Sequence, residues 1–181
     1  AVLAGNSVSP VALFPQYRAV LELAGGESGH PADLWPVEWR WLNVPLQAGI
    51  DPQTFTPSLR GLMDQAVLRV MRTGDRKAAQ RMGDLCAGLA VGQLQIEPRT
   101  FWAICAAFFE GVALGLCPDD VYTKRAASRV LRQYTSLSKG DMAISDRLAH
   151  DLVFFCSLCV PAEGQDAPAL RAVRLAYGLE R

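Results

Sequence analysis

The sequence predicts an all-α protein in which antiparallel helical hairpins form a bundle. Across residues 56–160, apolar residues recur at intervals of three and four, the spacing that places side chains on one face of a helix. No run of four or more residues alternates between apolar and polar types beside turn residues, so nothing indicates a sheet. Proline, glycine and aspartate separate the periodic segments by short loops, which favours antiparallel packing of neighbouring helices.

Residues 1–55 are predicted to form an N-terminal helix and a Trp/Pro-rich ordered connector that packs on the core. Ser9-Pro10 can start a helix, and Tyr17–Ala24 has helical spacing. Glu27–Gln53 cannot form a long helix, because each of its prolines removes a backbone donor and restricts the preceding residue. Three tryptophans give this connector apolar area: Trp35, Trp39 and Trp41.

Residues 56–160 are predicted to form the bundle core from five helices, each with its own start signal. The signals are Thr56-Pro57, Asp75 after the stop at Gly74, Pro98, Pro118 with Asp119 and Asp120, and Gly140-Asp141. Residues 161–181 are predicted to hold a loop and a last helix that leads to a further domain. Ala169–Arg181 has the pattern of an unfinished helix and Ala1–Gly5 that of a helix end, so we expect a piece of a longer polypeptide.

Charge and cysteine content restrict the classes of function. The chain has 18 basic and 18 acidic residues, and this zero net charge disfavours nucleic acid as the main partner. No apolar run of about 20 residues occurs, so we expect no membrane insertion. The five cysteines are predicted to be reduced core residues of a cytoplasmic protein. Cys156 and Cys159 have CxxC spacing, but a second such pair is missing, so neither metal nor cofactor is predicted.

No catalytic group can be nominated from the residues. The sequence contains no nucleophile elbow, P-loop or dinucleotide fingerprint. A phosphoacceptor histidine usually has a cationic residue three positions on and then a glycine, but Val153 and Phe154 follow His150 at those positions. We interpret His150 as a residue at the margin of the core. The alternative is a degenerate histidine phosphotransfer domain with His150 as the acceptor.

Two basic groups could dock a protein partner or could simply form solvated faces. Arg125, Arg129 and Arg132 fall at i, i+4 and i+7 and therefore share one helix face, which Lys124 adjoins. This face is the candidate interaction surface for an acidic partner. The second group consists of Arg69, Arg72, Arg76 and Lys77.

A second alternative is a small-molecule sensor domain. It would need a cavity of several hundred cubic ångström between helices, lined by Trp102, Phe108 and Phe109. The same apolar stripe is equally compatible with ordinary core packing.

Two segments carry a resemblance to a known family. One is Ser9–Trp41, which includes Leu13-Phe14-Pro15-Gln16-Tyr17 and Leu34-Trp35-Pro36. The other is Asp120–Leu131, which includes Tyr122-Thr123-Lys124-Arg125. Together they resemble the N-terminal region of CheA-type hybrid histidine kinases of the type IV pilus chemosensory system (PilL or ChpA), to which a domain of the FimL scaffold is related.

The resemblance implies a non-catalytic helical scaffold domain in a phosphorelay protein that controls twitching motility. The catalytic parts of such kinases lie in other domains, so no family catalytic residue is carried over to this sequence. The resemblance also implies protein partners, either other chemosensory or pilus-regulatory proteins or neighbouring domains of the same chain.

Overall fold

The structure is a computed structural model that describes residues 38–180. Its contacts divide the chain into two compact units, Ala1–Trp39 and Arg40–Arg181. The predicted helices at Ser9-Pro10 and Tyr17–Ala24, and the first part of the connector, lie outside the described residues. The three-part division at residues 55 and 160 stays a prediction.

The all-α prediction is confirmed, because residues 38–180 contain six α-helices and no strand. The helices are α1 (Pro57–Thr73), α2 (Arg76–Val91), α3 (Ile96–Ala113), α4 (Val121–Ser138), α5 (Asp146–Leu158) and α6 (Pro168–Ala176). Consecutive helices pack in the pairs α1–α2, α2–α3, α4–α5 and α5–α6. Three further pairs close the bundle: α1–α4, α3–α5 and α3–α6.

Side chains cap three helices where the sequence predicts them. Thr56 and Asp75 each accept a hydrogen bond from the backbone N–H three residues on, at 3.1 Å. Asp120 accepts from the N–H groups two and three residues on, at 3.0 and 3.1 Å. Gly74 closes α1 in the left-handed region at φ +64°. Local capping chemistry therefore fixes the α1–α2 corner and the start of α4.

The predicted start of the fifth helix at Gly140-Asp141 is wrong, since α5 begins at Asp146. Ser145 provides the cap, because its hydroxyl accepts from an N–H of the first turn at 3.0 Å. The Gln133 side chain on α4 donates to the Ala143 carbonyl and accepts from the Ser145 N–H, both at 3.0 Å. These bonds hold the intervening segment against α4 as a loop.

The expectation of an unfinished helix up to Arg181 is also wrong, because α6 ends at Ala176. Gly178 adopts φ +69°, and the Leu179 N–H donates to the Arg174 carbonyl at 2.7 Å. A left-handed glycine followed by such a bond is a common way to terminate a helix.

Helix α3 is the centre of the core. Every residue from Thr100 to Phe109 is buried, because α2, α5 and α6 all pack against this helix. Aromatic rings meet edge-on along it, with 4.9 Å between the centroids of Phe101 and Trp102 and 5.0 Å between those of Phe108 and Phe109.

Residues 40–55, which we call the strap, cross the helices in an irregular path. The Leu42 carbonyl accepts from the Thr100 hydroxyl at 2.7 Å, and the Leu42 N–H donates to the Tyr177 hydroxyl oxygen at 3.1 Å. Farther along, the Gln53 N–H donates to the Gly88 carbonyl of α2 at 2.9 Å. These hydrogen bonds attach the strap to α2, to α3 and to Tyr177 after α6.

Gly88 lets the strap approach α2 closely. A Cβ at this position would lie 2.9 Å from the Asp51 carbonyl oxygen and would overlap the Gln53 side chain. We expect Gly88→Ala to lower the free energy of unfolding by about 1 to 3 kcal/mol, because overpacking must displace the strap. Urea denaturation followed by circular dichroism measures the change.

Gly61→Ala is the matched control. Gly61 lies inside α1, and a Cβ there would meet nothing within 4 Å. Alanine should therefore stabilise the protein by up to about 1 kcal/mol through helix propensity alone. Equal changes in the two variants would contradict the role assigned to Gly88.

Candidate interaction surfaces

The predicted basic face lies on α4, and its four residues differ in whether they form ion pairs with other parts of the fold. The Arg129 guanidinium contacts the buried Asp151 carboxylate at 2.7 Å, and Lys124 lies 3.8 Å from Asp119 at the surface. Arg125 and Arg132 are exposed and form no ion pair with any residue between 38 and 180. Arg129 is therefore bound within the fold, which leaves Arg125 and Arg132, with Lys124, for a partner.

Asp151 is the centre of an ionic cluster that sequence reasoning missed. Its side chain is 1% exposed and lies 2.7 Å from Arg129, 3.4 Å from Arg147 and 4.0 Å from His150 Nδ1. Its position in the sequence could have revealed the cluster. Asp151 follows Leu148 by three residues and therefore lies on the apolar face of α5, and a buried acidic residue usually has charged partners.

His150 is poorly placed to accept a phosphoryl group. Its side chain is only 16% exposed, and its Nδ1 faces the Asp151 carboxylate. A phosphoryl group on this ring would bring negative charge towards a buried anion, which is unfavourable. This geometry disfavours the phosphotransfer alternative.

The residues proposed to line a sensor cavity are fully buried. Trp102, Phe108 and Phe109 are each 0% exposed. They line neither of two concavities found within residues 38–180. They belong to the core, which favours ordinary core packing over the small-molecule sensor alternative.

A groove of about 970 Å³ lies elsewhere, between the strap, α2, α3 and the start of α6. Small residues form much of its wall: Gly83, Ala87, Ala103, Ala106, Ala169 and Ala172. Asp51, Asp84, Glu110 and Asp166 also line it, and no lysine or arginine is among its lining residues in the described chain. We call this feature the acidic groove.

Comparison with protein families assigns this domain to a family. Residues 49–181, including the strap end and all six helices, match the profile of the second domain of the FimL scaffold protein. The chain belongs to this FimL second-domain family. A comparison with curated proteins finds no match, and a comparison with solved structures finds none either.

The acidic groove of this FimL-family domain contains a carboxyl group with a perturbed pKa. Burial, and then the negative charges of Asp166 and Asp84, raise the pKa of Glu110 from its ordinary value. Glu110 Oε1 accepts from the Leu170 N–H at 2.8 Å, which opposes that shift and ties α3 to the first turn of α6. The sequence signal was Glu110 itself, a lone charge within the apolar run Trp102–Cys117.

Glu110→Gln should change how stability depends on pH. Because the pKa is raised in the folded state, the folded protein binds the proton more strongly, and stability is lost as pH rises through that pKa. Glutamine keeps the acceptor Oε1 but carries no charge. We therefore expect the variant to gain stability over the wild type as pH rises from the ordinary carboxyl range, measured by urea denaturation between acidic and neutral pH.

Glu97→Gln, in the exposed first turn of the same helix, controls for the loss of a surface carboxylate. A stability difference between Glu110→Gln and the wild type that stays constant with pH would contradict the assignment.

The expectation of five reduced cysteines is wrong for two of them. Cys117 and Cys159 form a disulfide with their Cα atoms 5.3 Å apart, whereas Cys86, Cys105 and Cys156 are free and buried. A Cβ at Gly111 would lie 2.9 Å from the Cys159 sulfur and 3.0 Å from that of Cys117, so glycine makes room for the pair. The pairing was not predictable because 42 residues separate the two cysteines and only the fold brings them together.

The three free cysteines should not react with a thiol reagent in the folded protein at neutral pH. Burial raises the pKa of Cys156 to about 12 and also raises that of Cys105, so the reactive thiolate is scarce. Denaturation without reductant should expose three thiols, and reduction before denaturation should expose five. Five thiols in unreduced, denatured protein would contradict the disulfide.

Two other properties bear on function. Within residues 38–180, no three His, Cys, Asp or Glu side chains are placed to hold a metal ion. No helix in the same range is long and apolar enough to span a bilayer.

Proposed function

We propose that the chain is a non-catalytic scaffold domain that acts through protein partners in the chemosensory control of type IV pili. The match of residues 49–181 to the second domain of the FimL scaffold protein carries this proposal. The unfavourable surroundings of His150 support it against a phosphotransfer role. We further propose that the parent polypeptide is a CheA-type histidine kinase of the PilL or ChpA kind, to which the tryptophan-rich N-terminal segment bears a resemblance.

We propose a cytoplasmic location and a docking face formed by Arg125 and Arg132, assisted by Lys124. The exposure of the two arginines supports the face, because an acidic partner can reach them without breaking an ion pair within residues 38–180. The Cys117–Cys159 disulfide weighs against the location, since disulfides are rare in a reducing cytoplasm. The thiol count described above, repeated on protein quenched in cells with an alkylating reagent, tests that point.

Charge reversal tests the docking face. The 181-residue chain and its Arg125→Glu/Arg132→Glu variant would be used to capture partners from pilus-bearing cells, with captured proteins quantified by mass spectrometry. We expect the variant to lose chemosensory or pilus-regulatory proteins that the wild type retains. Arg40→Glu/Arg81→Glu carries the same change in net charge at exposed positions on the strap and α2, away from this face, and should retain them. Equal capture by all three proteins would remove the face from the proposal.

A further inference from the structure

The acidic groove lacks an internal counter-charge. Asp84, Glu110 and Asp166 all line the groove. The negative charges of Asp84 and Asp166 help to raise the pKa of Glu110. Asp84 and Asp166 are exposed at the groove edges, while the walls are largely alanine and glycine. Small residues allow close approach of a helix backbone, and the carboxylates favour one that bears arginine or lysine.

The chain itself offers such a helix on a different part of its surface. Helix α1 exposes three large apolar side chains, with Leu62 at 46%, Leu68 at 48% and Met71 at 37%. Arg69 and Arg72 are exposed beside them, and the only acidic residue of the helix, Asp64, is paired with Arg60 at 3.1 Å. Gly61, Gln65, Leu68 and Arg72 follow the spacing of one helix face. No residue of α1 lines the groove.

Residues 1–37 are a poor match for the same groove on charge. Their sequence contains Arg18 but also Glu22, Glu27 and Asp33, so this segment is acidic when His30 is neutral. Acidic residues opposite the groove carboxylates would be repelled.

We propose that the acidic groove binds helix α1 of a second copy of this chain. Leu68 and Met71 would enter the alanine-lined wall, and Arg69 and Arg72 would meet the carboxylates of Asp84 and Asp166. The groove and α1 are different surfaces, so one copy can insert its α1 into a neighbour while its own groove binds the α1 of another copy. The contact therefore joins copies head to tail. This inference goes beyond the proposed function, and it uses a surface other than the Arg125–Arg132 face.

Sedimentation velocity on the full chain tests this contact. The wild type should associate increasingly from micromolar to submillimolar concentration, and added salt should weaken the association because the charges are exposed. A groove variant, Asp84→Lys/Asp166→Lys, and a helix variant, Leu68→Glu/Arg72→Glu, should each weaken self-association by at least about tenfold, since each places like charges opposite one another.

Mixing the two variants gives the decisive result. The groove variant retains an intact α1 and the helix variant an intact groove, so an equimolar mixture should form a one-to-one heterodimer. Glu97→Lys/Asp141→Lys, which matches the groove variant in charge change at exposed positions that do not line the groove, should associate like the wild type. Circular dichroism establishes that each variant is folded.

A wild-type chain that stays monomeric over this range overturns the proposal and leaves the groove to a different partner. A mixture of folded variants that stays monomeric overturns it as well, as does wild-type association by either variant alone. None of these results depends on the capture experiment with Arg125 and Arg132.

Discussion

Replacing Arg174 by methionine should lower the free energy of unfolding by about 3 to 5 kcal/mol, the largest effect expected for any single change in this domain. The side chain is 5% exposed. Its guanidinium donates to the carbonyls of Cys156, Ser157 and Cys159 at 2.8, 3.0 and 3.3 Å, where α5 ends. Methionine keeps the apolar stem but removes these three bonds. The Cys156 carbonyl still accepts from the Cys159 N–H at 3.3 Å, so the free-energy cost falls mainly on the buried carbonyls of Ser157 and Cys159.

The other donors of Arg174 close the end of the domain. Its Nη2 donates to the Leu179 carbonyl at 3.1 Å, and its Nε contacts Glu180 at 2.8 Å. One planar guanidinium therefore joins the end of α5 to the residues after α6. Lysine cannot reproduce this fork, so Arg174→Lys should recover only part of the lost stability.

Arg171→Met is the control on the same helix. Arg171 is half-buried and donates from one nitrogen to the carbonyls of Ala162 and Gln165 in the preceding loop. Its loss should cost about 1 kcal/mol. Urea denaturation measures the free energy of unfolding of both variants. Equal losses would show that Arg174 does not have a special role in joining α5 to the residues after α6.

Local chemistry made the helices predictable. Thr56, Asp75 and Asp120 cap helices through their own nearest backbone N–H groups, and Gly74 supplies the left-handed residue that ends α1. Such signals depend on a few consecutive residues and can be read from the sequence. Gly140-Asp141 misled the prediction because Gln133, on the preceding helix, holds the following residues as a loop.

Contacts between distant residues could not be predicted in this way. Glu110, Asp84 and Asp166 come from α3, α2 and the loop before α6, and only the fold brings them to one groove. The sequence does contain a signal for Arg174, because this residue follows Leu170 by four positions and therefore lies on the buried face of α6. This spacing predicts a buried charge, but it does not predict which carbonyls the guanidinium binds.

The basic face remains a prediction, but the structure shows which of its side chains already have partners within the fold. The i, i+4, i+7 spacing aligns Arg125, Arg129 and Arg132 regardless of what packs beside α4. Which of these three arginines meets a buried carboxylate depends on α5, because its Asp151 forms an ion pair with Arg129. Sequence spacing therefore gives the direction of the face, and tertiary packing selects the residues that remain for a partner.

Asp151→Asn should lower the free energy of unfolding by about 3 kcal/mol at neutral pH, because it leaves a partly buried Arg129 beside an uncharged amide. The Arg129 side chain is 29% exposed, so water compensates for part of the lost ion pair and the cost should stay at the lower end for buried pairs. Thermal or urea denaturation measures the change.

A double-mutant cycle with Arg129→Met separates the ion pair from the packing of each side chain. If the pair carries the effect, the double variant should be less destabilised than the sum of the two single variants, by about 1 to 2 kcal/mol. The Asp119–Lys124 pair is the contrast, since the Asp119 side chain is 79% exposed and the same kind of change, Asp119→Asn, should cost less than about 0.5 kcal/mol. Additive costs at Asp151 and Arg129 would mean that the two side chains stabilise the α4–α5 contact independently, and Arg129 would then again be available to the docking face.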